Sequence, residues 1–328
     1  MGSWVVKGLL EKGHTVRLAV RNKNKEKKYA FLQEMAKKQD AKLEIWEADL
    51  LKDGSYDEAA KGCDAIAHIA SPFFLKVNDA QKQLLDPAIK GTTNVLNAAN
   101  RSGTVKKIVL TSSAAAVYGD TIDMKTQGLS AFNESHFNTS SSLHHQPYSY
   151  SKVAAEKKAW EMEKAQNDWQ LVVINPSFVM GPPLNNDLGS ESITFMKNLL
   201  EGKMKSGVAE LYFGYVDVRD VAKAHIYALE NKAEGRHILS ERVIDMLSFV
   251  NIIRDLYGDK FKLPKSNNPK WLISLIGFMF GLTRKYVKNN VGHALMLDSS
   301  KSREELGLGY IPLEKTVKDM IEQLLSEK

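Results

Sequence analysis

The sequence predicts a doubly wound α/β fold, with a parallel sheet covered by helices and a smaller, mainly helical lobe after it. Short apolar runs rich in β-branched residues alternate with longer segments of helical periodicity, which is the pattern of a parallel sheet buried on both faces. A stretch rich in Gly, Pro and Asn, 181–189, ends this alternation. Helical segments with few strands follow it, and these predict the second lobe.

The predicted elements follow one another in a regular order. Five strands are predicted at 14–20, 43–47, 64–69, 106–111 and 170–175, and helices are predicted between them at 25–38, 79–102 and 148–166. Residues 1–14 have the pattern of an amphipathic helix and a turn, with no strand and no complete glycine-rich turn ahead of them. We therefore expect a dinucleotide-binding sheet whose first strand is missing.

The predicted domains are interleaved along the chain. Residues 1–178, together with 212–230, are assigned to the nucleotide-binding domain, and 179–211 and 231–328 to the substrate lobe. Ligands of open α/β sheets bind at the carboxyl ends of the strands, so we expect a cleft there, between the two parts.

Composition limits the classes of function. The 328 residues carry a net charge of +6, but the 45 basic and 39 acidic side chains are interspersed, so neither a nucleic acid nor a membrane partner is expected. A single cysteine excludes an internal disulfide, and no metal site is predicted. The longest apolar stretch, 271–282, is too short to span a bilayer and is predicted to pack on the core. We expect a cytoplasmic protein, and the sequence does not indicate an oligomeric state.

Tyr148 and Lys152 form a Tyr-x-x-x-Lys pattern at the start of a predicted helix. Residues four apart lie on the same helix face, so both side chains can reach one cleft. Hydride attack on a carbonyl places negative charge on its oxygen, which a tyrosine hydroxyl can protonate if a nearby cation favours the phenolate. Ser113, at the end of a predicted strand, can donate a second hydrogen bond. Tyr148 and Lys152 could otherwise be an ordinary helix-start aromatic and a solvated lysine.

Arg21 follows the strand predicted at 14–20, where an acidic residue would bind a ribose hydroxyl in an NAD-dependent enzyme. An arginine there can instead pair with the 2′-phosphate of NADP, which favours NADPH as the cofactor. The neighbouring Lys23 and Lys25 are more simply explained as a solvated helix face.

Several segments resemble the family of dihydroflavonol reductases and cinnamoyl-CoA reductases, which are extended short-chain dehydrogenases. Fungal and bacterial aldehyde and methylglyoxal reductases are similar. The matching segments are 3–16 (SWVVKGLLEKGHTV), 110–118 (LTSSAAAVY), 148–152 (YSYSK) and 175–182 (NPSFVMGP). The resemblance implies a Rossmann-like fold and covers nearly the whole chain, but of the family's glycine-rich turn only Gly2 is present.

The resemblance also implies roles for individual residues. Ser113, rather than Ser112, matches the catalytic serine, because the family uses the second serine of the pair. The implied cofactor contacts, in addition to Tyr148 and Lys152, are Arg21, Lys28, Asp49, Leu50, Ala70, Ser71, Pro176 and Val179. Asp49 could also be a helix-capping residue. Phe73, Phe74 and Tyr118 either face a substrate or belong to the core.

Three functions remain open at this point. The first is the NADPH-dependent reduction of an aldehyde, a ketone or a dihydroflavonol-like ketone, which Arg21 favours. The second is an NAD-dependent sugar-nucleotide epimerase or dehydratase, which uses the same Ser, Tyr and Lys. The third is a non-catalytic dinucleotide-binding homologue, because loss of a central strand exposes unpaired backbone groups and apolar helix faces.

Overall fold

The computed structural model describes residues 1–71, 78–184 and 190–326. The strands are β1 Val16–Val20, β2 Leu43–Glu47, β3 Ala65–His68, β4 Lys107–Thr111, β5 Gln170–Pro176, β6 Phe178–Met180, β7 Tyr212–Asp217, β8 Gly235–Leu239 and β9 Arg242–Asp245. The α-helices are α1 Gly2–Glu11, α2 Ala30–Lys38, α3 Asp57–Ala60, α4 Asp86–Ser102, α5 Ile122–Thr126, α6 Pro147–Lys164, α7 Glu191–Leu200, α8 Val218–Glu230, α9 Met246–Tyr257, α10 Lys270–Ile276, α11 Arg284–Asn290, α12 Ser300–Glu305 and α13 Leu313–Ser326.

The central sheet is parallel and has the strand order β3-β4-β5-β8. Its middle strands β4 and β5 are buried except for the end residues Lys107, Thr111 and Gln170. Val109, Val172 and Ile174 pack against the apolar face of α8. Strands β1 and β2 form a separate parallel pair. Within the described residues β1 pairs only with β2 and β3 only with β4, so one edge of each has no strand partner. The predicted α/β class with a parallel sheet is confirmed.

The predicted strands lie within two residues of the observed bounds, whereas two predicted helices are divided. The segment 25–38 contains a 3₁₀ turn, Glu26–Lys28, followed by α2. The segment 79–102 begins with a π-helical turn, Gln81–Leu85, that continues into α4. Strand β8 lies in the range 231–328 that was assigned to the substrate lobe, yet it completes the central sheet.

The second lobe contains a three-stranded mixed sheet, β6-β7-β9, as well as helices. Its core joins α7, α9 and α13 through buried side chains that include Met196, Phe249 and Met320. Strand β7 therefore belongs to this lobe, although it lies in the range 212–230 that was assigned to the nucleotide-binding domain. The expectation of few strands in this lobe holds only partly. Strands β6 and β9 were not predicted because each is too short to give a clear period-2 pattern. Asp217 caps α8, accepting from Arg219 N at 2.7 Å. Asp220, in the first turn of α8, accepts from Ile311 N and so anchors the chain before α13.

The apolar stretch 271–282 forms α10 and a 3₁₀ turn, Gly277–Phe280. The expectation that it packs on the core was wrong for one face: Ile273 is buried, but Trp271 and Leu275 are exposed. No helix in the described ranges is both long enough and apolar enough to cross a bilayer.

Candidate active site

Tyr148 and Lys152 lie in the first two turns of α6. Pro147 occupies the start of the helix, where its missing N–H removes no intrahelical bond, and Gln146 before it has a left-handed φ of 54°. The spacing of four places both side chains on one face, with Lys152 Nζ 5.9 Å from the centroid of the Tyr148 ring. The helix start therefore brings the hydroxyl and the ammonium into one buried space.

Ser113 follows β4 and completes this group. Its hydroxyl accepts from Ala115 N at 3.1 Å, which caps a 3₁₀ turn, and it is hydrogen-bonded to the Tyr148 hydroxyl. Burial raises the pKa of Tyr148 to about 12, and the Ser113 hydrogen bond opposes the shift. The phenol therefore keeps its proton near neutral pH. The structure thus places the three predicted catalytic side chains together.

Lys152 is buried, and burial lowers its pKa to about 8, because a charged amine loses hydration there. The carboxylate of Glu156, one turn further along α6, opposes this shift. Within the described residues no hydrogen-bond acceptor or ion-pair partner contacts the Lys152 ammonium. A buried ammonium of this kind suits a polar ligand such as a sugar hydroxyl.

Glu156 belongs to the site, although the sequence did not single it out. Its carboxylate is 1% exposed and accepts from Ser112 Oγ, from Asn175 Nδ2 at 2.8 Å and from Arg236 Nε at 2.5 Å. The two adjacent serines therefore have different partners, since Ser113 is directed to Tyr148 and Ser112 to Glu156. The sequence feature that could have indicated Glu156 is its position four residues after Lys152, which places both side chains on the same face of α6.

A second buried network supports the start of α6. Asp120 is 1% exposed, and its carboxylate contacts His145 Nε2 at 2.8 Å, Gln146 Nε2 at 2.7 Å and the side-chain amides of Asn289 and Asn290, each at 2.7 Å. Asp120 thereby connects the residues at the start of α6 to the end of α11.

A small cavity of about 20 Å³ lies at the carboxyl ends of β3 and β4, and Lys152, Ser112 and Glu156 line it, whereas Ser113 and Tyr148 do not. Predicted cofactor contacts that line it are Leu50, Ala70, Ser71 and Lys152. Gly91 of α4 forms part of the wall, and a Cβ there would lie 3.3 Å from Leu50 Cβ. The small side chains therefore keep space in front of the Lys152 ammonium.

Arg21 and Asp49 meet at the carboxyl ends of the paired strands β1 and β2. The Arg21 side chain is 77% exposed, and its Nε lies 3.7 Å from Asp49 Oδ2. Asp49 Oδ1 also accepts from Leu51 N at 2.9 Å, which closes a short turn. Lys28 is exposed at the end of the 3₁₀ turn before α2. Arg21 directly follows β1, and Lys28 lies seven residues further along the chain.

Pro176 and Val179 lie at the end of β5 and in β6, on the other side of the site. Between them, Ser177 Oγ is buried and has no hydrogen-bond partner among the residues that the structure describes. Trp4 Nε1 donates to Pro182 O at 3.0 Å, so α1 is attached to this loop. Tyr118 stacks on Phe132 in the core, whereas Phe73 and Phe74 lie outside the described residues.

Comparison with known proteins identifies the family. Residues 1–240 match the model of the NAD dependent epimerase/dehydratase family. The chain belongs to this family. It is 36% identical to a cinnamoyl-CoA reductase of Medicago truncatula, over 100% of this chain and 93% of the relative. It is 33% identical to a bifunctional dihydroflavonol 4-reductase/flavanone 4-reductase of Malus domestica, over 79% and 74%.

The fold is shared with a solved protein structure. The crystal structure of Gre2 from Candida albicans in complex with NADPH has a TM-score of 0.79 and 30% identity, covering 98% of this chain and 95% of Gre2. The resemblance to extended short-chain reductases that the sequence indicated is therefore confirmed.

Proposed function

We propose that this chain reduces a carbonyl, in an aldehyde, a ketone or a dihydroflavonol-like ketone, to an alcohol with NADPH. The observation that carries the proposal is the meeting of Ser113 and Tyr148 with the buried Lys152, whose side chain lines a small cavity. The reductases among its relatives and the NADPH complex of Gre2 support the same reaction and cofactor.

Bound NADPH would supply the hydride, and the chain's own residues would manage the charge on the substrate oxygen. Tyr148, whose raised pKa keeps it protonated, gives its proton to the developing alkoxide. Ser113 donates a hydrogen bond to the same oxygen. The Lys152 ammonium stabilises the phenolate that remains, and Glu156 keeps that amine more basic than burial alone would allow.

The cofactor contacts form a path along the carboxyl ends of the strands. Arg21 and Lys28 would bind the 2′-phosphate, Asp49 and Leu50 the adenine side, and Ala70 and Ser71 would let the dinucleotide pass close to the backbone. Lys152 would hold the ribose hydroxyls, and Pro176 and Val179 would lie beside the nicotinamide. The amide groups at the start of α1 have no intrahelical partner and suit the pyrophosphate.

We assign cofactor binding to residues 1–178, α8 and β8. Residues 179–211, β7 and the remainder of 231–328 would hold the substrate. The single thiol, Cys63, is consistent with a cytoplasmic, reducing setting.

The test is consumption of NADPH by the purified chain with a panel of aliphatic aldehydes, aromatic aldehydes, hydroxycinnamoyl thioesters and dihydroflavonols. We expect turnover of at least one class, with Tyr148→Phe lowering kcat/KM by about 10²–10⁴-fold. Tyr150→Phe is the matched control, because Tyr150 is two residues from Lys152 on a different helix face, and we expect it to keep activity.

The same panel separates the alternatives. Turnover of a nucleotide sugar with NAD, and of no carbonyl with NADPH, would assign the chain to the epimerases. Binding of NADPH without turnover of any substrate would indicate a non-catalytic homologue.

A further inference from the structure

Residues 260–297, which we call the basic segment, form a long stretch with basic residues and no acidic ones. It contains Lys260, Lys262, Lys265, Lys270, Arg284, Lys285 and Lys288, and no Asp or Glu. Because the whole chain carries +6 and this segment +7, the remaining residues carry a net charge of −1. The basic segment therefore differs in charge from the rest of the surface.

The same segment has an exposed apolar face, formed by Trp271, Leu275, Phe278 and Met279. Their exposed fractions are 69%, 59%, 75% and 70%, and they make up four of the seven large hydrophobic residues exposed in the described part of the chain. Offsets of four, seven and eight from Trp271 place them on one side of α10 and the turn that follows. Single exposed apolar residues are ordinary, but such a cluster marks an interaction surface.

The apolar face is held rigidly against the protein. On the opposite side of α10, Ile273 is buried with Val287 and Val291 of the α11 region. Lys270 Nζ donates to Lys288 O at 2.9 Å and to Val291 O at 2.7 Å, which joins the start of α10 to the end of α11. The four side chains therefore face outward because the helix is fixed in that orientation.

The basic residues lie close to the apolar face in the chain. Lys270 directly precedes Trp271, and Arg284 and Lys285 begin α11, five and six residues after Met279. Among the described residues, no carboxylate forms an ion pair with any of the seven basic residues of the segment. Their charge is therefore not neutralised locally.

We propose that this surface docks on an anionic lipid membrane without spanning it. Apolar side chains, Trp in particular, enter the interface between headgroups and acyl chains, while lysines and arginines attract the phosphates of anionic lipids. A second copy of the chain would bring one basic segment against another, which like-charge repulsion opposes. The proposal revises the expectation from sequence that no membrane takes part, which rested on interspersed charge and the absence of a spanning segment.

The test is cosedimentation of the full chain with vesicles of phosphatidylcholine alone and with vesicles that contain phosphatidylserine. We expect at least tenfold stronger binding to the anionic vesicles, weakened by salt. Trp271→Ser/Phe278→Ser should remove most of this binding. Arg284→Glu/Lys285→Glu should lower it at least tenfold without unfolding α11, because acidic residues suit the first turn of a helix.

The matched control is Lys37→Glu/Lys38→Glu, which reverses two adjacent exposed lysines at the end of α2 and should leave vesicle binding unchanged. NADPH-dependent turnover, where present, should be retained in all three variants because none alters the candidate active site. Equal binding to neutral and anionic vesicles, or no binding to either, would overturn the proposal. So would a dimer in solution that Trp271→Ser/Phe278→Ser converts to a monomer, since a second copy would then cover the face.

Discussion

Replacing Lys152 by Met should make the cofactor-free protein more stable while abolishing its activity. Burial lowers the pKa of Lys152 from 10.5 to about 8, so the folded state disfavours the charged amine. That difference corresponds to a cost of up to about 3 kcal/mol in the free energy of unfolding. Methionine keeps most of the apolar volume of the lysine stem and carries no charge, so it removes the cost.

The pH dependence of this stability difference follows from the pKa values of Lys152 in the folded and unfolded chain. Below pH 8 the lysine is charged in both the folded and the unfolded chain, and the whole cost is present. Between about pH 8 and 10.5 the folded chain releases its proton first, so stability of the wild type rises relative to the variant. The advantage of Lys152→Met should therefore fade over this range.

The assay is urea unfolding of both proteins at pH 7 and at pH 9.5, without nucleotide. We expect the variant to be more stable at pH 7 and the difference to be smaller at pH 9.5. A variant that is less stable at pH 7, or a difference that does not change with pH, would refute the assignment of Lys152 as a buried ammonium destabilised by desolvation.

Three further predictions concern the neighbouring residues. Ser113→Ala should lower kcat/KM about 10-fold to 100-fold with little change in unfolding free energy. Ser112→Ala removes a donor to a buried carboxylate, so it should chiefly lower stability, by about 1–3 kcal/mol. The reverse pattern in kinetics and urea unfolding would exchange the roles of the two serines. Arg21→Ala should weaken NADPH binding at least tenfold in calorimetry and leave NADH binding unchanged. The control Lys23→Ala should affect the binding of neither nucleotide. If Arg21→Ala weakened the binding of both nucleotides equally, that result would argue against a 2′-phosphate contact. Asp120→Asn should cost about 2–4 kcal/mol in unfolding free energy because an amide group then faces buried donors; an unchanged midpoint in urea would show that this network does not support the start of α6.

Much of the fold could be predicted because its signals are local. The strands at the centre of the sheet are continuous apolar runs, and the Tyr-x-x-x-Lys spacing fixes which face of α6 carries Tyr148 and Lys152. Strand ends in a parallel sheet meet at one edge, so Ser113 could be placed near them from its position after β4.

Other parts of the site depend on contacts between residues that are distant in the chain. Glu156 is held by Arg236, 80 positions away, and Asp120 by Asn290, 170 positions away. Neither pair forms a local pattern, and a buried carboxylate cannot be distinguished from a solvated one by its neighbours in sequence. The exposure of Trp271 was missed for the same reason, since an apolar helix segment has the same composition whether its outer face is covered or not.

The central claim is that the cleft at the carboxyl ends of the strands binds NADPH. The most direct measurement is calorimetric titration of the folded, purified chain with NADPH and, in parallel, with NADH. We expect saturable binding of one NADPH per chain, at least tenfold tighter than NADH. No heat of binding from a chain shown to be folded by circular dichroism, or a preference for NADH, would contradict it.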